Sequence, residues 1–162
     1  YAATKVASES ILKYYSKYYN IPAATIVMYD TYGPDDKRRK IIPLLLKISN
    51  SCEELKMGSG ENPINLSFIT DVCSAVICAV IAIEKQPKGH HIRWAIRNPK
   101  THFVHEVVEL IRQNIDRNIK VKFGALPEGP PPKLLNHSIP VVPNWTPKIS
   151  LERGLRLVFE ET

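Results

Sequence analysis

The sequence predicts an α/β fold with parallel strands in a doubly wound arrangement, and three observations lead there. A strongly helical stretch from Tyr1 to about Tyr19 runs directly into an apolar, β-branched run, Ala23 to Tyr29. A run without polar alternation is buried on both faces, as strands of parallel sheets are. Helical and strand patterns then alternate to the end of the chain, which places helices over a sheet. Finally, the 162 residues are 44% hydrophobic and 23% charged, enough apolar material for a core in a chain of ordinary globular composition.

The first helix carries Ala3, Ala7, Ile11, Tyr14 and Tyr18 on one stripe, with Lys5, Leu12, Tyr15 and Tyr19 beside it. This apolar surface is broader than one core contact requires, so the helix is expected to bury against a sheet on one side and another subunit on the other. Asn20 ends it, and Pro22 prevents continuation. Asp30-Thr31-Tyr32-Gly33-Pro34 reads as the loop at the carboxyl end of the following strand, where α/β sheets bind ligands. A second helix spans about Lys40 to Ser49, with Pro43 in its first turn. Leu55 to Ile64 reads as turns and short strands, and Ile64 to Phe68 alternates as a strand. Thr70 is expected to cap the next helix, which runs to about Glu84 with Asp71 in its first turn. His91 to Ile96 reads as a strand, His102 to Asn118 as a helix and Lys120 to Phe123 as a short strand. Residues 124–147, with prolines at 130–132, form a long loop that either folds over a ligand or is mobile. Ser150 caps a last helix, Leu151 to about Glu160.

Composition narrows the function. The formal charge of +6 permits anionic ligands, but much of it lies in Lys37-Arg38-Arg39-Lys40, which reads as a solvated loop or helix start, with a phosphate contact as the lesser alternative. Without interleaved aromatic and basic motifs, no nucleic-acid binding is expected. Cys52, Cys73 and Cys78 make neither a metal spacing nor a redox pair, and are expected to be buried free thiols in a reducing, cytoplasmic compartment. His102 and His105, three apart, are expected in an exposed first helical turn, and no metal site is expected. No signal peptide is expected, and Val72 to Ile83 is too short to cross a membrane.

Tyr1 and Lys5 are four residues apart and so share a helix face. An ammonium beside a phenol favours the phenolate, which suits proton transfer in alcohol–ketone chemistry. Alone the pair is a weak motif, but three further segments follow it in order: Asp30-Thr31-Tyr32-Gly33-Pro34, Ser67-Phe68-Ile69-Thr70-Asp71-Val72, and Pro143-Asn144-Trp145-Thr146-Pro147 with Leu151-Glu152-Arg153-Gly154-Leu155. Together they resemble the second half of the extended short-chain dehydrogenase/reductase family, the NAD-dependent epimerases, dehydratases and reductases that modify nucleotide-sugars.

That resemblance implies the C-terminal part of a Rossmann-like doubly wound sheet with a small mixed α/β substrate-binding region. The Rossmann-like part would span residues 1–56, and residues 57–162 would be mainly substrate-binding, with 65–98 returning to the Rossmann-like core. It implies NAD or NADP as cofactor and a nucleotide-sugar as substrate. Tyr1 would be the acid/base, and Lys5 would assist it and hold the nicotinamide ribose. Tyr29, Asp30 and Thr31 would join them at the cofactor, while Asp30, Tyr32, Lys56 and Arg93 would contact substrate. A homodimer through the Tyr1–Tyr19 helix is expected.

Three positions depart from the family pattern, and at one of them Asp30 stands where an asparagine is usual. Val27 and Ile64 stand where arginines are common, and an isoleucine cannot clamp a phosphate as a guanidinium does. The glycines, at 33, 58, 60, 89, 124, 129 and 154, form no dinucleotide-binding turn. The residues that hold the cofactor pyrophosphate are therefore expected in an N-terminal half of the same fold, upstream of Tyr1 or on another chain. The competing expectation is a non-catalytic structural or binding relative that kept the fold.

Overall fold

A computed structural model describes residues 1–51, 53–115, 119–127 and 138–160. Cys52, the prolines at 130–132 and the expected helix end at 116–118 lie outside the described residues. The elements in chain order are α1 (Ala2–Tyr18), β1 (Ala23–Met28), β2 (Asp30–Tyr32), α2 (Ile41–Ser49), β3 (Leu55–Lys56), β4 (Pro63–Ile64), β5 (Leu66–Phe68), α3 (Ile69–Ile83), β6 (His91–Ile96), β7 (His102–Phe103), α4 (Val104–Asn114), β8 (Val121–Lys122) and α5 (Leu151–Glu160). They pack as two compact units, one of residues 1–29, 70–97 and 138–146, the other of residues 30–51, 53–69, 98–115, 119–127 and 147–160. Residues 30–56, which the sequence groups with the Rossmann-like part, pack in the second unit.

The first unit is a three-layer slice. β1 and β6 run parallel, with Ala23 opposite His91 and Met28 opposite Ile96. Val72, Ala75, Ala79 and Ala82 of α3 bury against Trp94 and Ile96, with Ala24 and Ile26 at the margin. Small residues on α3 let the helix approach, and Trp94, 2% exposed, fills the layer as a core residue. Beyond β6, the backbone around Val141 bridges to Ala95, and Trp145 Nε1 donates to the Asp71 carbonyl at 3.1 Å. Residues 138–145 of the expected long loop thus belong to the core layer, because a buried indole needs both apolar walls and an acceptor. α1 closes above Asn20, whose φ of 53° takes the left-handed turn an asparagine tolerates.

The second unit holds the larger core. Leu45 of α2, Val107, Val108 and Ile111 of α4 and Phe159 of α5 are fully buried. Each such side chain contributes about 1.5–3 kcal/mol relative to exposure. β2 pairs parallel with β5, β3 parallel with β8, and β4 antiparallel with β7. Ser150 caps α5 as expected, its Oγ accepting the Arg153 N–H at 3.2 Å.

Four local expectations are corrected. Asp30 to Tyr32 is a strand, since Leu66–Phe68 offers it a parallel edge. α3 begins at Ile69, so Thr70 lies inside the helix instead of capping it. His102 is buried in β7, where Ile64 pairs with it, and α4 starts only at Val104. Cys73 is exposed, because it falls on the side of α3 that carries Ile77 and Val80 away from the sheet. Among the described residues no helix is long and apolar enough to cross a membrane, and no cluster of His, Cys, Asp and Glu could hold a metal ion.

Candidate functional site

In the first unit, α1 lies along the β1–β6 face and leaves a groove of about 510 Å³. Tyr1, Lys5, Glu9 and Leu12 line it from the helix, Thr25 and Val27 from β1 and Arg93 from β6. Helical spacing explains the first three, since residues four apart stack on one face. Lys5 Nζ stands 5.4 Å from the centre of the Tyr1 ring, a cation–π distance, and Tyr1 is 94% exposed. Glu9 pairs with Arg93 Nε at 3.4 Å and with Lys13 at 3.3 Å. Deeper along the same face, the Thr25 hydroxyl meets His91 Nε2 at 2.8 Å, and burial holds His91 below the ordinary histidine range.

The structure therefore brings together Tyr1, Lys5 and Arg93 from the expected set. Tyr29 is half-buried, its N–H directed at the Ile96 carbonyl at 3.4 Å, and it does not line the groove.

The remaining expected residues lie in the second unit. The Asp30 N–H donates to the Asn65 carbonyl at 3.0 Å, and its carboxylate lies 3.5 Å from Lys40 Nζ. Thr31 accepts from the Arg38 guanidinium through both its carbonyl, at 3.1 Å, and its hydroxyl, at 3.3 Å. Arg38 is in turn held by Asp36 at 2.7 Å, a contact that draws the Asp36 carboxyl below its ordinary range. Tyr32 is 3% exposed, with its ring edge against Phe68 and its hydroxyl against α5. A Cβ built on Gly154 would lie 2.1 Å from that hydroxyl, so the Tyr-Gly-Pro and Leu-Glu-x-Gly-Leu segments interlock. Lys56 stands exposed on β3 and lines none of the described cavities.

Sequence reading missed Glu9 and Asn65, and took Arg38 and Lys40 for a solvated cluster although they tie to Thr31 and Asp30. The signal for Glu9 was its place one more turn along the Tyr1–Lys5 stripe. Asn65, fully buried, donates to the Asn98 carbonyl at 2.9 Å and accepts the Asn98 N–H at 2.8 Å, while Asn98 Nδ2 donates back to the Leu66 carbonyl. Nothing in the sequence marks that reciprocal pair, whose members are 33 residues apart.

The layered helices and the parallel β1–β6 pair define an α/β chain of Rossmann-like fold. Residues 1–95, more than half of the chain, match the NAD dependent epimerase/dehydratase family, and the chain belongs to that family. It is 32% identical over 124 residues to CDP-abequose synthase of Yersinia pseudotuberculosis, covering 76% of this chain and 43% of that protein. It is 23% identical over 171 residues to GDP-L-fucose synthase 1 of Arabidopsis thaliana, covering 99% of this chain and 51% of that one. Its fold matches UDP-glucose-4-epimerase of Stenotrophomonas maltophila, solved with bound NAD and formylated UDP-arabinopyranose, at a TM-score of 0.78 and 14% identity over 99% of this chain and 53% of that one. The chain thus spans about half the length of the curated relatives it matches.

The residues present fit one end of a nicotinamide dinucleotide. Lys5 and Tyr1 line an open groove, and among the described residues no carboxylate pairs with Lys5, which leaves its ammonium available to a ribose hydroxyl. They do not provide the glycine-rich turn that a pyrophosphate needs.

Proposed function

We propose that this chain forms the acid–base half of a nicotinamide-dependent enzyme that epimerises, reduces or dehydrates a nucleotide-sugar. The observation that carries this reading is the shared groove of Tyr1 and Lys5 in a chain of the NAD dependent epimerase/dehydratase family. Tyr1 as phenolate takes the proton from a sugar hydroxyl as its carbon becomes a ketone and its hydride leaves, and as the neutral phenol returns that proton in the reverse direction. Lys5 holds the ribose of NAD or NADP and keeps a positive charge beside the phenol. Bound nicotinamide supplies or accepts the hydride. In this reading Asp30 and Thr31, which hold contacts to Lys40 and Arg38, supply polar groups to cofactor or substrate.

Three surfaces suit the partners this reading needs. Among the described residues β1 pairs only with β6, so its other edge is open to further parallel strands from an N-terminal half of the fold. Ile69, Val76, Ile77, Val80 and Ile81 leave α3 apolar on the side away from the sheet, and a helix apolar all round is normally covered. The outward stripe of α1, with Ile11, Tyr14 and Tyr18 each more than half exposed, suits a second copy of the chain.

A non-catalytic relative is the second reading, favoured by Ile64, which is 8% exposed in an apolar core and offers no charge to a diphosphate. The test is cofactor retention and turnover of UDP-glucose and dTDP-glucose by the complete protein. Bound nicotinamide with product formation supports the enzyme. Neither cofactor nor product supports the non-catalytic relative.

A further inference from the structure

Glu9 continues the Tyr1–Lys5 stripe, and its side chain is only 17% exposed. A carboxylate withdrawn that far from water needs a partner. Lys13 belongs to the same helix, so its contact cannot fasten α1 to anything else. Arg93 stands on β6, and its Nε, 3.4 Å from Glu9 Oε1, links the helix to the sheet. α1 otherwise buries a single side chain, Ser16, whose hydroxyl meets the Ile21 and His90 carbonyls near the helix's C-terminal end. Tyr1 and Lys5 lie at the opposite end. The Glu9–Arg93 pair is therefore the polar tie nearer to them. Val27 lines the same groove and contributes no charge, although it occupies the position where the family resemblance implies an arginine.

We propose that Arg93 is a positioning residue, which through Glu9 holds the first turns of α1 against the sheet and so sets where Tyr1 and Lys5 stand. The role rests on the reading of Tyr1 and Lys5 as the acid–base pair, and it differs from direct substrate contact by Arg93.

The deciding experiment is backbone amide hydrogen exchange in the complete protein, followed for residues 2–12 and for α4 as a control. Arg93→Met is expected to speed exchange in residues 2–12 about fivefold, the size of a partly exposed ion pair. α4 stays unchanged, and Arg93→Lys stays within about twofold of the parent. Unchanged exchange in residues 2–12, an equal rise in α4, or Arg93→Lys as fast as Arg93→Met would overturn the proposal. In turnover of UDP-glucose or dTDP-glucose, whichever the protein accepts, Arg93→Met is expected to lower kcat about tenfold and leave KM unchanged. A raised KM with unchanged kcat assigns Arg93 to the substrate and overturns the positioning role. Tyr1→Phe is measured alongside. If that variant keeps full activity, the acid–base reading fails, and amide exchange alone decides whether Arg93 fastens α1.

Discussion

The two packed units of this chain differ in how completely they close. The second unit buries Leu45, Val107, Val108, Ile111 and Phe159 completely within its own core. The first leaves Ile11, Tyr14 and Tyr18 of α1 and Ile77, Val80 and Ile81 of α3 more than half exposed, and its α1 buries only Ser16. Apolar area exposed on both outer helices of a layered sheet is what the proposed partners would cover. The acid–base candidates belong to the open unit, on the helix that is least held. The closed unit is anchored by motifs that look functional in sequence but are packed, above all Tyr32 against Gly154.

That contrast can be broken by substitution. In the closed unit Phe159→Ala should cost about 3–5 kcal/mol in chemical denaturation, because a fully buried ring leaves a cavity. A loss below 1 kcal/mol would show that the core is not closed. Gly154→Ala comes next, at about 1–3 kcal/mol, since the added methyl meets the Tyr32 hydroxyl and overpacks the core. The paired change with Tyr32→Phe should recover part of that loss, by removing the atom that is struck.

The acid response is smaller. Burial holds His102 below the ordinary histidine range, despite the opposing pull of Glu106 and Glu152. The unfolded chain therefore takes up this proton first. The contribution is fully present above about pH 6.5, the value for an unperturbed histidine, and is lost as the pH falls from there toward the folded value. Urea midpoints for His102→Gln should show a shallower decline below pH 6.5 than the parent. Equal slopes would remove His102 from the account.

In the open unit Tyr18→Ala should change denaturation of the isolated protomer by no more than about 0.5 kcal/mol. The same change should weaken self-association in sedimentation if the α1 stripe seats a second copy. A stability loss of core size would mean that α1 is packed within the chain.

Much of this organisation is legible in the sequence, for identifiable reasons. α1, β1, α2, β6 and α5 each carry a period or an apolar run long enough to stand above their surroundings, and Ser150 and Asn20 mark their boundaries chemically. The shared face of Tyr1 and Lys5 follows from spacing alone. What was missed depends on partners distant in the chain. Asp30 to Tyr32 is three residues followed by Gly-Pro, a loop by local criteria, and becomes a strand only because Leu66–Phe68 lies beside it. His102 looks like a helix start until its pairing with Ile64 is known. Cys73 sits in an apolar run that gives no sign of which side meets the sheet. The Glu9–Arg93 pair spans 84 residues, and no local pattern announces a contact of that range.

The central claim is that Tyr1 is the proton donor and acceptor of a nicotinamide-dependent reaction on a nucleotide-sugar. Its most direct test is kcat for Tyr1→Phe in the complete protein, with bound nicotinamide measured in the same samples. Tyr1→Phe removes one oxygen and keeps the ring, so folding should be unaffected. The account predicts a fall in kcat of about 10²–10⁴-fold with cofactor still bound. An unchanged kcat would contradict it.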